Sequence, residues 1–184
     1  YRVALVDYDS QASSVDWVKR RPKHLAPITA VEGYLYGLRY MPRNVDFVIL
    51  DAPARCQGPE LTDLINHAET IIVPVLPSSI DMQVAGKFIG ELKSKSRVAG
   101  RRTKIAVVAN RVKENTLIFD ELDQYLGKLR VPYVAALREA QNYIRAYTRG
   151  LGIYELPEYL AWPDWEQWDP LIEYLDSRRS KPVA

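Results

Sequence analysis

Three aspartates close two short apolar runs of this chain. Val3-Ala4-Leu5-Val6-Asp7-Tyr8-Asp9 and Val45-Asp46-Phe47-Val48-Ile49-Leu50-Asp51 each lead a strand-like segment into carboxylates. In an open parallel sheet, ligands gather beyond the carboxyl ends of the strands. Acidic strand ends there can hold a magnesium ion and a water against a nucleoside triphosphate. The competing reading of Asp7 and Asp9 is a solvated strand-to-loop turn, where aspartate is common. The sequence G-x-x-x-x-G-K-[ST], whose backbone amides and lysine cradle phosphates, occurs nowhere in the 184 residues, and the nine glycines are scattered. Half of a nucleotide site is legible, and the half that grips phosphate is not.

A second chemical feature is positive charge. The stretch from Lys93 to Lys104 holds Lys93, Lys95, Arg97, Arg101, Arg102 and Lys104 and no acid. Cations at a helix end favour the helix dipole, which is the structural reading. Contact with DNA phosphates is the functional one, and Arg20, Arg21, Lys23, Arg145, Arg149, Arg178, Arg179 and Lys181 are candidates to extend it. The lone Cys56 excludes an internal disulfide and a cysteine-rich zinc site. His24 and His67 are too far apart in sequence to suggest an imidazole metal site.

These groups need a scaffold, and the pattern supplies one. Nearly continuous apolar runs at residues 2–8, 45–50, 70–75, 104–109 and 131–135 read as strands covered on both faces, with a shorter edge strand at 26–30. Helical segments are expected between them at 13–21, 31–40, 59–67, 80–98, 117–129 and 139–148. Ser78 and Asp81 are spaced like a capping box with a shorter acid. The alternation predicts an α/β fold, a single domain over 1–184, with three layers and a mostly parallel sheet. A further helix over 164–178 carries Trp165, Trp168, Leu171, Ile172 and Leu175 at helical spacing. Its polar face holds Glu166, Asp169, Glu173 and Asp176, which anionic lipid would repel, so packing against the domain is the preferred reading. At 47% hydrophobic and 26% charged, with net charge +2, the composition is that of a soluble globular protein. No membrane partner is expected, and the expected location is the cytoplasm.

In this order the motifs resemble the ParA/MinD family of deviant Walker ATPases, with ParA-like and MipZ-like features. Asp7-Tyr8-Asp9-Ser10-Gln11-Ala12-Ser13 is similar to the family's D-x-D-P-Q-x-S, with Ser10 in place of proline. Val48-Ile49-Leu50-Asp51-Ala52-Pro53 is similar to its Walker B strand. Ile71 to Ser78 with Ile80-Asp81 is similar to its strand, P-V-x-P-S and helix passage. Val107-Val108-Ala109-Asn110 resembles its strand-end asparagine, and Arg138-Glu139 with Arg149-Gly150-Leu151 resembles its late segment.

The resemblance implies a nucleotide-binding fold of the P-loop, SIMIBI type, whose first strand and phosphate loop would lie upstream of Tyr1. It implies ATP and Mg²⁺ as cofactors. Asp9 would orient the attacking water, Asp7 would support the switch loop and the magnesium shell, and Asp51 would hold the magnesium. Asn110 would contact the adenine edge, unless it is only a cap or turn residue. The implied activity is that of a partition or positioning ATPase that forms a homodimer on ATP and rides non-specifically on nucleoid DNA. A partner protein would stimulate hydrolysis. The chain by itself is expected to be inactive. The rival reading is a natural pseudo-ATPase, a scaffold that keeps the fold without the chemistry. A related ligase would need substrate-binding insertions that the sequence lacks, and an iron–sulfur reductase would need more cysteines than Cys56.

Overall fold

The computed structural model describes residues 1–54, 56–100, 102–177 and 180. It divides into two compact units, Tyr1–Leu64 with Gln141–Pro157, and Ile65–Ala140 with Glu158–Ala184.

The first unit is built on a three-stranded parallel sheet in the order β2-β1-β3. Its strands are β1 (Val3–Asp7), β2 (Ile28–Glu32) and β3 (Phe47–Asp51), with α1 (Ser13–Lys19) and the single turn α2 (Gly33–Tyr36). Ala4, Leu5, Val6, Val15 and Val31 form its buried apolar centre. The helix expected over 31–40 shrinks to α2. Val31 and Glu32 instead complete β2, paired with Val6 and Asp7. Gly37 then ends the turn at φ 55°, a conformation only glycine adopts freely. The expected edge strand at 26–30 is real and lies two residues later. Coverage on both faces fails for β3, where Phe47, Val48 and Ile49 are 43, 38 and 54% exposed. The cause is position: among the described residues β3 is an outer strand of its sheet, paired with β1 on one side alone.

Chain segments far apart in sequence close this unit. The helix α7 (Gln141–Thr148) ends in Arg149 and Gly150, and Gly150 has φ 66°. A Cβ there would lie 2.5 Å from the carbonyl carbon of Arg20 and from the nitrogen of Arg21, so only glycine fits. The Trp17 indole donates to the Leu151 carbonyl at 3.1 Å. Arg21, at 8% side-chain exposure, forks onto Glu155 with bonds of 2.8 and 2.5 Å, and its Nε donates to the Ala26 carbonyl.

The second unit has its own parallel sheet in the order β4-β5-β6, made of β4 (Thr70–Val75), β5 (Lys104–Val112) and β6 (Tyr133–Arg138). Ile105 to Ala109 are buried, as a central strand requires. The helix α3 (Gly58–His67) contains the boundary between the units. The long helix α4 (Ser79–Ser94) starts at Ser78, whose Oγ accepts from the Asp81 amide at 3.1 Å, as the cap spacing predicts. It stops at Lys95, which has extended backbone, and one further turn, α5 (Ser96–Ala99), replaces the rest of the expected helix. α6 (Leu117–Lys128) buries Leu122 and Leu126. The expected strand at 131–135 shifts to begin after Pro132, whose carbonyl accepts from the Val107 amide. The tail helix α8 (Glu158–Asp176) starts earlier than the aromatic spacing suggests and contains Pro163 and Pro170. It packs as expected: Leu171 joins Val108, Ala135 and Leu137 in one cluster, with Trp168 and Leu175 against them. Among the described residues, no helix is long and apolar enough to cross a membrane.

The Arg21 guanidinium, with the Gly152 amide, holds the Glu155 carboxyl below its ordinary value of 4.5. A group depressed on folding stabilises the fold above its unfolded value, and that contribution is lost as pH falls through the folded value. Below about pH 4.5 the wild type should therefore lose stability more steeply than Glu155→Gln. Urea midpoints measured from about pH 3 to 6 should converge between the two proteins at the acid end.

Candidate functional site

The site begins with a helix that cannot cap itself. The residue before α1 is Ala12, held at φ 53° and ψ 31°, and it has no side chain able to accept a hydrogen bond. The first amides of a helix have no partner within it. Asp7 supplies one from the end of β1. Its Oδ2 accepts from the amides of Ser14 at 3.0 Å and Val15 at 3.2 Å, and its Oδ1 accepts from the Asp9 amide at 2.9 Å. The residue is 0% exposed. A buried carboxylate is tolerable here because three N–H groups replace its water.

The loop between is an aspartate-nucleated turn. Asp9 Oδ1 accepts from the Gln11 amide at 2.9 Å, and the Asp9 carbonyl accepts from Ala12 at 2.9 Å. Its second carboxylate oxygen has no partner among the described residues. Asp51 lies beside Asp7 in the parallel register, and its carbonyl accepts from the Tyr8 amide at 2.9 Å. The Ser14 hydroxyl donates to Asp51 Oδ2 at 2.5 Å. Ser14 thus joins both acids, through its amide to Asp7 and through its hydroxyl to Asp51. Burial, with the charge of Asp63, pushes the Tyr8 phenol above its usual range.

Two contributors escape a reading of the motifs. One is Ser14, since the family pattern marks Ser13, which is exposed here. Its only signal is the doubled serine at the start of a helix. The other is Glu32, which sits opposite Asp7 on β2, so three strand ends carry acids in register. A rim with that charge, formed of hard oxygen donors, suits Mg²⁺. No group of three His, Cys, Asp or Glu among the described residues forms a complete metal cage. Magnesium does not require one, because it is usually held by one or two carboxylates plus substrate phosphates. Asp51, half-exposed with a spare oxygen, fits that role. Asp7 has little capacity left for it.

Asn110 belongs to the second unit. It is not a strand end: β5 continues to Val112 through an irregular stretch in which Arg111 has φ 53°. The Asn110 Oδ1 accepts from the Arg111 amide at 3.0 Å. Arg111 and Lys113 both reach Glu139, at 2.7 and 3.1 Å, and Arg138 pairs at 2.6 Å with Asp164, which is fully buried.

Three cations of the basic stretch have partners within the protein, although Lys93 itself is exposed. Lys93 Nζ donates to the Leu129 carbonyl at 2.8 Å, at the end of α6. Lys95 pairs with Glu91 at 3.4 Å, and Arg97 reaches the Thr103 hydroxyl at 3.4 Å. Arg102 is exposed and Lys104 is half-buried at the start of β5. Arg101, Arg178, Arg179 and Lys181 lie outside the described residues.

No protein-family profile matches the chain. It is 26% identical over 161 residues to the maintenance of carboxysome distribution protein A of Halothiobacillus neapolitanus, covering 84% of this chain and 74% of that protein. Its fold is similar to the MinD cell division protein of Aquifex aeolicus, with TM-score 0.69 and 14% identity, over 96% of this chain and 84% of that one. It is also similar to a variant of McdA from Cyanothece in complex with ATP, with TM-score 0.66 and 14% identity, over 100 and 87%. The resemblance drawn from the motifs is matched by these similarities: in sequence to a carboxysome-distribution protein, and in fold to MinD and McdA structures.

Asp7→Ala leaves three amides without acceptors, one buried and two partly buried, and should cost about 3 kcal/mol. Asp51→Asn, at a half-exposed side chain with one hydroxyl donor, should cost less than about 1 kcal/mol. Urea unfolding of the two variants checks the contrast.

Proposed function

We propose that the protein is a positioning ATPase, with residues 1–184 acting as one ParA-like nucleotide-binding domain. The observation that carries the reading is the Ser14 bridge, which ties two register-matched strand-end carboxylates to the first turn of α1. Phosphoryl transfer needs positioning and charge neutralisation more than covalent chemistry. Asp51 offers a hard carboxylate for Mg²⁺, and Ser14 orients it. Asp9, on the adjoining turn with a spare oxygen, holds the water that attacks the terminal phosphate. Asp7 acts one step back, by fixing the loop that carries Asp9. Asn110 contacts adenine, since its Oδ1 is engaged by Arg111 and its Nδ2 is left to donate. When bound, Mg²⁺ supplies neutralisation of phosphate charge.

In this reading ATP closes a homodimer, the dimer binds nucleoid DNA without regard to sequence, and a partner protein triggers hydrolysis and release. The similarity to a protein named for carboxysome distribution supports a large protein body as the first cargo class to test.

ATP and Mg²⁺ titrated into the protein expressed from its whole reading frame should shift it to a dimer in sedimentation velocity. In that protein Asp9→Ala should lower turnover by roughly 10²-fold while leaving the ATP-dependent dimer intact. Absence of any nucleotide effect on the wild type rejects the reading. Protein of these 184 residues alone, with no G-x-x-x-x-G-K-[ST] sequence, should give no ATP turnover in a phosphate-release assay.

A further inference from the structure

Most of the exposed positive charge of the first unit, Arg39 and Arg43 apart, lies where α1 ends against α7. These two segments are distant in sequence, and the close approach of Gly150 to the Arg20–Arg21 backbone holds them together. Arg20 places its guanidinium 5.1 Å from the Tyr147 ring centroid, so one cation and one aromatic are already stacked across the junction. Arg149 adjoins Gly150, and Arg145 lies one helical turn before it on α7; both are exposed. Lys19 and Lys23 are exposed on the other side of the junction.

Residues 13–27 and 141–157 carry six cationic residues and two acids, while the whole chain has a net charge of only +2. Both acids are occupied, Asp16 by Lys19 at 3.4 Å and Glu155 by Arg21. Among the described residues, the patch therefore presents Arg20, Arg145 and Arg149 without a neutralising carboxylate; Arg145 reaches the neutral Asn142 oxygen, at 3.2 Å.

We infer that this α1–α7 patch, rather than the 93–104 stretch, is the surface that contacts the phosphates of duplex DNA. Guanidinium groups are suited to phosphate oxygens, and they read a backbone without reading bases. The geometry favours DNA over a lipid surface, because α7 is only eight residues long and its exposed large apolar side chains are Ile144 and Tyr147, the latter stacked on Arg20. The 93–104 stretch is a poorer candidate, since Lys93, Lys95 and Arg97 are already engaged by the Leu129 carbonyl, Glu91 and Thr103. The inference rests on the proposed function for the role of DNA as a track. The location of the contact stands on the charge and packing described. Because α1 also carries Ser14, the same helix joins the acidic rim to the cationic patch.

The test is fluorescence anisotropy of a labelled random-sequence duplex with the whole-reading-frame protein, with and without ATP, over a salt series. The triple variant Arg20→Ala, Arg145→Ala, Arg149→Ala should bind roughly 30-fold more weakly or worse. Its slope of log K against log salt should be shallower by about three, one per lost phosphate contact. The matching triple lysine variant keeps the charge and should recover most of the lost affinity and the wild-type salt slope, which separates charge from folding. The double variant Lys93→Ala, Lys95→Ala should bind like wild type. Wild-type affinity in the triple alanine variant overturns the inference, as does loss of binding in the Lys93/Lys95 variant alone. So does wild-type binding to anionic phosphatidylglycerol vesicles with none to DNA. ATP-dependent dimerisation is followed in the same samples. DNA binding through the patch with no response to ATP would count against the ATPase reading and leave the patch supported.

Discussion

The buried carboxylate of Asp7 is the constraint on which the candidate site depends. An ionised group removed from water is costly unless donors replace its hydration. Here three backbone amides do so, and two belong to a helix whose own cap position, Ala12, cannot accept a bond. One interaction therefore ends β1, shapes the Asp9 loop and starts α1. The strain of a left-handed Ala12, about 1–2 kcal/mol, is tolerated because the turn delivers these amides to the carboxylate.

From that anchor the remaining geometry follows in order. Parallel pairing places Asp51 level with Asp7, and the position of α1 brings the Ser14 hydroxyl to Asp51. The division of labour between the acids comes from their surroundings rather than their type. Asp7 is saturated and structural, whereas Asp51 and Asp9 keep oxygens available for chemistry. The other end of α1 is fixed just as firmly, by Trp17, Arg21 and the Gly150 contact. A short helix of seven residues, marginal by itself, is thus held at both ends by tertiary bonds.

Much of the fold could be read from periodicity. The central strand β5 and the buried Ile105–Ala109 run match because a fully covered strand needs uninterrupted apolar residues. The Ser78 cap also matches, because capping is local to four residues. The misses share a cause. Residues 31–40 have helical character, yet Val31 and Glu32 pair with β1, a partner more than twenty residues away. β3 reads as a covered strand and is an outer one, because strand order is not written in a strand's own composition.

The sequence by itself determined the alternation of strands and helices, the acids at two strand ends, the absence of a phosphate-gripping glycine loop from these residues, and the family likeness. All of these are properties of residue type and local spacing. Only the tertiary structure decided which acid is buried, that Ser14 rather than Ser13 meets Asp51, that Lys93 reaches the Leu129 carbonyl, and that Arg20 meets α7. Each of those depends on contacts between segments separated by many residues, whose energies are set by burial and register rather than by any pattern along the chain.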